Sequence, residues 1–468
     1  MFLFLHRSNP ILVVDLISFY FYASIYPLEN LLGGRFNEFN QKMEDKLCSL
    51  KLMGYDLIFF VDGSMQPEKK GTVLRRREEE YLQGIKVLHE IDEGVALTEI
   101  SVKIPSMKAY FENLIQIAKK YGDMHISALK ECDQEIVNVA NNKKALAVIS
   151  SDTDFIIFDG PWRLWNGLNF TNNTAMEYDK IKIRESLNLS RSEMKLFASL
   201  AGNDIFNDYI INKSFIKFCF LRALIIVYPL NDENIESLAK DIFEPEHYEE
   251  GLKALHKSID FYSLFLFINL KKTFRFFVIF VEHLLPVYVL VLLCLYLNLF
   301  TGKVPQLENL LLTRYGQDKV LDTIRWDLLC FIISSNKLKA IEVRSIPGTN
   351  RATSLALFYL VKANLITVDE ADCILFACNG DRLPNLPYKF SFDTVRTIGG
   401  RDARVVFLFR RIMYEVPACF SAVGLQRFSG LITFDGLCYH NLRKIWRNLD
   451  ITILESMKEK LRPFRIYA

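Results

Sequence analysis

The chain has 468 residues, half of which are hydrophobic, and a formal net charge of only +2. This length exceeds what one ordinary hydrophobic core serves, so we expect two domains. The near-neutral charge argues against a strongly basic nucleic-acid-binding protein, and any surface for nucleic acid must therefore be local.

Nine cysteines are scattered along the chain, and none forms a CxxC pair. Because the seven histidines do not cluster near them, the pattern argues against a zinc site and is typical of a reducing compartment. The apolar N-terminus lacks the basic start and the cleavage site of a signal peptide, and its second apolar run ends in Asp15. We therefore expect a protein of the nucleus or cytoplasm that is not secreted.

Residues 11–210 alternate between strand-like and helix-like segments. Short apolar runs that are typical of buried strands lie at 11–15, 55–61, 124–127, 145–149 and 155–158, and residues 176–178 are a candidate edge strand. Helix patterns lie at 35–53, 67–89, 108–121 and 132–141, and Ser190 with Glu193 forms a capping box that starts another helix. This alternation predicts an α/β domain in residues 1–210, with a mainly parallel sheet flanked by helices.

Residues 211–468 have a different pattern, which predicts a mostly α-helical region. Helix candidates lie at 233–258, 305–345, 353–363, 369–378 and 402–414. A local concentration of arginines has Phe407 and Phe409 interleaved and consists of Arg396, Arg401, Arg404, Arg410 and Arg411. Arginines with aromatic residues can bind single strands by charge and stacking, although we expect the two phenylalanines in the core.

Residues 261–302 form an anomalous hydrophobic stretch. Within it, residues 284–302 carry no charge and are long enough to span a bilayer. A membrane anchor, a buried pair of helices and an error in the gene model each explain this stretch. Pro286 within it and soluble-looking sequence on both sides disfavour the anchor.

Seven carboxylates stand in five short motifs of the first half, and most follow an apolar run. They are Asp15 in VVD, Asp62 in FVDG, Glu131 and Asp133 in ECDQE, Asp152 and Asp154 in SSDTD, and Asp204 in AGND. Side chains at the carboxyl ends of parallel strands meet in one crevice. Converging carboxylates repel one another unless a hard cation such as Mg²⁺ or Mn²⁺ binds there. The set therefore predicts two such ions about 4 Å apart, which suits phosphodiester hydrolysis. The alternative is that strand-end aspartates merely cap helices.

Basic residues follow Asp62 closely. Lys69 and Arg76 are seven positions apart, so they share one face of a helix and can hold a phosphate. The alternative is a solvated helix whose cations pair with the glutamates at 78–80.

The order VVD, GGRF, FFVDG with K-x₆-R, ECDQE, SSDTDF and LAGND resembles the flap endonuclease/XPG-type nuclease core, which has a PIN-like fold. Within that superfamily the chain is most similar to the asteroid family, and the resemblance covers about residues 1–210. It implies that all seven carboxylates bind metal and that Lys69 and Arg76 steer the scissile phosphate. It also implies nucleic acid as the partner, as DNA ends, single strands or RNA.

Two departures from that pattern leave two functions open. Residues 1–8 replace the usual start of a flap endonuclease, and residues 207–220 lack the glycines of its duplex-gripping hairpin. The first hypothesis is a metal-dependent, structure-selective nuclease that acts at DNA ends, flaps or overhangs. The second is a catalytically silent nuclease-fold module that binds RNA or protein.

Overall fold

The computed structural model describes residues 9–23, 27–62, 70–100, 108–127, 131–201, 232–243, 245–262, 313–334, 338–379, 398–425, 428–446 and 451–468. The chain divides into two compact units, each built from separated segments. Unit 1 comprises Met1–Tyr22, Lys46–Arg76 and Ala118–Lys271, and unit 2 comprises Ala23–Asp45, Arg77–Ile117 and Lys272–Ala468. The domain boundary after residue 210 stays a prediction.

A six-stranded sheet organises unit 1. Its strands are β1 (Ile11–Asp15), β2 (Asp56–Val61), β3 (Asp123–Ile126), β4 (Ala147–Ile149), β5 (Arg163–Asn169) and β6 (Thr174–Tyr178). They lie in the order β3-β2-β1-β4-β5-β6, and every neighbouring pair is parallel except β5 with β6. The mainly parallel sheet predicted for this half is therefore confirmed.

Strand β1 lies at the centre of the sheet. It pairs with β2 on one side, where Asp15 stands opposite Phe60, and with β4 on the other, where Val14 stands opposite Ile149. Its residues Leu12, Val13 and Val14 are fully buried, as expected for a strand covered on both faces. The apolar run before Asp15 is therefore explained by burial in the sheet.

One predicted strand is wrong and one strand is missing from the prediction. Residues 155–158 do not form a strand, because a 3₁₀ helix occupies Thr153–Ile156. Phe155 lies in this helix and Phe158 lies two residues after its end; both are buried and three positions apart, which does not match the two-residue period of a strand. Strand β5 was not predicted, because its sequence, RLWNGLN, contains two asparagines and a glycine, which are uncommon in strands.

The helices of the first half are α1 (Leu16–Tyr20), α2 (Pro27–Leu31), α3 (Phe36–Leu52), α4 (Lys70–Asp92), α5 (Lys108–Ala118), α6 (Cys132–Asn142), α7 (Lys180–Leu187) and α8 (Arg191–Ala201). The predicted capping box of α8 is confirmed. The Ser190 backbone N–H donates to the Glu193 carboxylate at 2.6 Å, and the Glu193 backbone N–H donates to the Ser190 hydroxyl at 3.3 Å.

In the described residues of the second half, all named secondary-structure elements are helices, as predicted. Its helices are Asp232–Ile242, Tyr248–Phe261, Lys319–Ser334, Ala340–Ser345, Arg351–Lys362, Val368–Ala377, Gly400–Ala422, Gly436–Ile445 and Ile451–Leu461. Two candidates were too long, because 233–258 and 305–345 each contain two separate helices in the described residues. One was too short, because the helix at 402–414 extends from Gly400 to Ala422.

Two buried asparagine side chains form hydrogen bonds with each other and with the backbone in unit 2. Asn113 donates to Asn40 Oδ1 at 2.8 Å and to the Ile432 carbonyl at 2.8 Å, and it accepts from the Ile432 N–H at 2.9 Å. Each polar group thereby has a partner, as burial requires.

No helix within the described residues is long and apolar enough to cross a membrane. The stretch 284–302, for which an anchor was one interpretation, lies outside those residues.

Candidate metal centre

The candidate site lies at the edge of the sheet where the parallel strands of unit 1 end. Asp15 is the last residue of β1, Asp62 directly follows β2, and Asp152 stands three residues after β4. The strands that follow β1 in the chain lie on both sides of it: β2 and β3 lie on one side, and β4, β5 and β6 lie on the other. Ligands of open α/β sheets bind at such a switch point, beyond the carboxyl ends of the strands.

Asp15 is almost fully buried, and both its carboxylate oxygens accept hydrogen bonds. The hydroxyls of Ser18 and Ser150 donate to Oδ2 at 2.6 and 2.9 Å. The Ile17 backbone N–H donates to Oδ1 at 3.2 Å, which makes Asp15 the N-cap of α1. Asp15 therefore caps a helix, as the alternative interpretation predicted. This cap uses only part of the hydrogen-bonding capacity of the carboxylate.

The remaining capacity of Asp15 is open to another ligand. An oxygen of a carboxylate accepts about two hydrogen bonds. The two hydroxyls fill Oδ2, whereas Oδ1 receives one N–H and keeps one lone pair. Burial raises the pKa of Asp15, and the charge of Asp62 raises it further, while the bonds from Ser18, Ser150 and Ile17 act in the opposite direction. A cation at Oδ1 would offset this cost of burying charge.

The loop after β4 carries the next two carboxylates. The Asp152 backbone N–H donates to the Ser150 hydroxyl at 3.0 Å, and Asp152 Oδ1 accepts from the Asp154 N–H at 2.9 Å. Asp152 thus caps the 3₁₀ turn. Its side chain is exposed, whereas that of Asp154 is half-buried.

Helix α6 brings the acidic pair Glu131 and Asp133 to the same region. Glu131 is the N-cap of α6, and Asp133 lies in its first turn, where the helix dipole favours negative charge. Cys132 between them is buried. Burial is the largest cause that raises the pKa of the Cys132 thiol, and the charges of Asp62, Asp133 and Asp15 raise it further. The charges of Asp15, Asp62 and Asp133 are therefore all felt at the Cys132 thiol.

The donor set fits a hard divalent cation in its chemistry. The candidate ligands are all carboxylates, and Mg²⁺ and Mn²⁺ prefer oxygen ligands. In the part of the chain that the structure describes, however, no three acidic, histidine or cysteine side chains group closely enough to hold an ion between them. Asp204 lies outside that part. An ion would therefore have to draw the described carboxylates together.

The predicted basic pair is only half described. Arg76 lies on α4 with an exposed side chain, and Lys69 lies outside the described residues. The shared helix face predicted for the two therefore stays a prediction.

The arginines of the second half mostly serve unit 2 itself. Arg401 donates to both oxygens of Glu370 at 2.9 and 2.8 Å, and Arg404 donates to both oxygens of Asp92 at 2.7 Å. Arg410 donates to a backbone carbonyl at 2.9 Å. Phe409 is buried as expected, and Arg396 lies outside the described residues. These contacts favour a structural role over single-strand binding.

Sequence reasoning did not identify the serines around Asp15. Ser18 is buried in the first turn of α1, and Ser150 is fully buried at the end of β4. The available signal was weak: a polar residue three positions after Asp15 in a run that is otherwise apolar.

Comparison with known proteins finds similarity over part of the chain. Residues 124–204 match the family model described as XPG I-region. The chain is 26% identical over 209 residues to the Bos taurus protein named constitutive coactivator of peroxisome proliferator-activated receptor gamma, and 27% identical over 209 residues to its Homo sapiens counterpart. The alignments cover 43% of this chain and 29% and 22% of those proteins, so the chain spans less than a third of their length.

Among solved structures, the catalytic core of Rad2 in complex with DNA substrate is 18% identical, with a TM-score of 0.34 over 59% of this chain and 80% of that one. The matched family region contains Glu131, Asp133, Asp152, Asp154 and Asp204. Residues 124–204 are thus similar to the XPG I-region, and the assignment of the chain to the asteroid family stays a prediction.

Proposed function

We propose that this protein is a metal-dependent, structure-selective nuclease that hydrolyses phosphodiester bonds at DNA ends, flaps or overhangs. The observation that carries the proposal is the placement of Asp15, Asp62 and Asp152 at the carboxyl ends of the neighbouring parallel strands β1, β2 and β4. Asp15 is buried, and a buried charge is costly without a counter-charge. Catalytic sites commonly hold such clusters.

The proposed ligands are the seven carboxylates Asp15, Asp62, Glu131, Asp133, Asp152, Asp154 and Asp204, which would hold two Mg²⁺ or Mn²⁺ ions. Such ions would supply an activated water and stabilise the leaving oxygen. Asp15 would contribute Oδ1, since hydroxyl protons fill Oδ2. Lys69 and Arg76 would orient the phosphate by charge-assisted hydrogen bonds.

A cleavage assay tests the proposal. The purified full chain should shorten an end-labelled duplex with a single-stranded overhang in Mg²⁺ and leave it intact in EDTA. Asp152→Ala should abolish cleavage because it removes an exposed carboxylate from the candidate site.

Asp123→Ala is the matched control. Asp123 is also an exposed aspartate of unit 1, but it starts β3 and so lies at the opposite edge of the sheet. The Asp123→Ala variant should cleave the substrate as the wild type does. Equal cleavage by wild type and Asp152→Ala would refute the site, and equal loss in both variants would point to a general defect of folding.

The second candidate function is a catalytically silent module that binds RNA or protein. Two observations favour it: the curated relatives are named as coactivators, and the described carboxylates do not group around one point within metal-binding reach. The two functions differ in metal binding. Absence of calorimetric heat with millimolar Mg²⁺ and Mn²⁺, together with retarded migration of single-stranded RNA in EDTA, would establish the silent module.

A further inference from the structure

The hydroxyl of Ser18 joins two parts of the candidate site that come from different elements. It donates to Asp15 Oδ2 at 2.6 Å, at the end of β1. It also accepts from the Ser151 backbone N–H at 2.9 Å and lies 2.9 Å from the Ser151 hydroxyl, in the loop after β4. Ser18 itself belongs to α1 and is only 4% exposed.

A count of protons fixes the direction of these bonds. An ionised carboxylate only accepts, so Ser18 and Ser150 must each spend their single proton on Asp15. The lone pairs of Ser18 are then left for the Ser151 N–H and the Ser151 hydroxyl. Every group of this network is satisfied with one orientation of each hydroxyl.

The network holds the loop at two successive residues. Ser18 accepts from the Ser151 N–H, and Ser150 accepts from the Asp152 N–H at 3.0 Å. Ser150 is part of the loop and moves with it. Ser18 lies on α1 and so fixes the loop from outside.

We propose that Ser18 is a positioning residue that sets the separation between Asp15 and the pair Asp152 and Asp154. This inference rests on the proposed function, because the separation matters only if these carboxylates share metal ions. Residues that orient metal ligands through hydrogen bonds typically change metal affinity 10–100-fold when removed. The Ser18 hydroxyl links Asp15 to the loop from a third element, α1, and so adds to the bonds of Ser150 and to the pairing of β1 with β4.

The test is calorimetric titration of the full-length protein with Mn²⁺ alone. Ser18→Ala removes the hydroxyl and should weaken the affinity for Mn²⁺ at least tenfold. Ser18→Thr keeps a hydroxyl and should recover the affinity to within about threefold of wild type. The control is Ser199→Ala, because Ser199 is also buried but donates to the Lys195 carbonyl of its own helix, α8. The Ser199→Ala variant should bind Mn²⁺ with the affinity of the wild type.

The melting temperature of the metal-free protein separates positioning from packing. If Ser18→Ala lowers this temperature but binds Mn²⁺ like the wild type, Ser18 is a structural residue and the inference fails. It fails too if Ser18→Thr binds as weakly as Ser18→Ala. If the wild type binds no Mn²⁺, the proposed nuclease function fails, and the positioning role fails with it.

Discussion

Replacement of Asp15 by asparagine distinguishes a metal ligand from a simple helix cap. Asparagine caps helices about as well as aspartate, so its side-chain oxygen can still accept from the Ile17 N–H. The serine hydroxyls can rotate to accept from the new amide group. The substitution therefore retains the local structure but removes the buried charge.

The sign of the effect on the metal-free protein follows from the raised pKa of Asp15. A carboxyl whose pKa is raised by folding loses stabilising free energy as pH rises from the unfolded value through the folded one. The ionised form of Asp15 therefore bears the cost of burial, and the charge of Asp62 adds to it. Asp15→Asn removes that cost, and its metal-free melting temperature should equal or exceed that of wild type.

The effect of metal should have the opposite sign. At a free Mg²⁺ concentration 100 times Kd, binding to the folded state stabilises the wild type by about 2.7 kcal/mol. For a folding unit of this size that corresponds to roughly 5–10 °C in melting temperature. Asp15→Asn, which lacks a charged ligand, should gain little from Mg²⁺.

Differential scanning calorimetry in EDTA and in Mg²⁺ measures both effects on the two proteins. If Asp15→Asn melts like the wild type in EDTA, and Mg²⁺ raises the melting temperature of neither protein, Asp15 serves only as a helix cap and the metal-site reasoning is refuted.

Two further predictions concern unit 2. Burial lowers the pKa of His440 from 6.5 to about 3, so the folded state binds fewer protons and stability is lost as pH falls below 6.5. Denaturant unfolding should show wild type losing about 2 kcal/mol more than His440→Gln between pH 7 and pH 5; equal losses would contradict a buried neutral histidine. Arg351, buried, donates to four backbone carbonyls, three of them at the end of helix Ala340–Ser345. Arg351→Met should lower the free energy of unfolding by about 3 kcal/mol. The control is Arg344→Met on that helix, which should not lower it because the Arg344 side chain is exposed. Equal losses in the two variants would contradict a stabilising role for the Arg351 hydrogen bonds.

Much of the sheet in unit 1 could be predicted from local sequence. The apolar runs before Asp15 and Asp62 form β1 and β2, because a strand covered on both faces needs consecutive apolar residues. Alternation with helices implied parallel pairing, which brings the carboxyl ends of the strands to one edge. The run at 155–158 misled the prediction, because in a short apolar segment a spacing of three is easily taken for a strand.

The sequence by itself determined that Asp15 and Asp62 stand where β1 and β2 end, since these strands are encoded by local apolar runs. Only the tertiary structure decided how they are held there. The bond between Ser18 and Asp15 is local, but those from Ser150 and Ser151 span more than 130 positions and depend on β1 pairing with β4. The division of the chain into two units built from separated segments is likewise a result of non-local packing. Such contacts leave no periodic signal in the sequence, because the residues that make them are near one another only after folding.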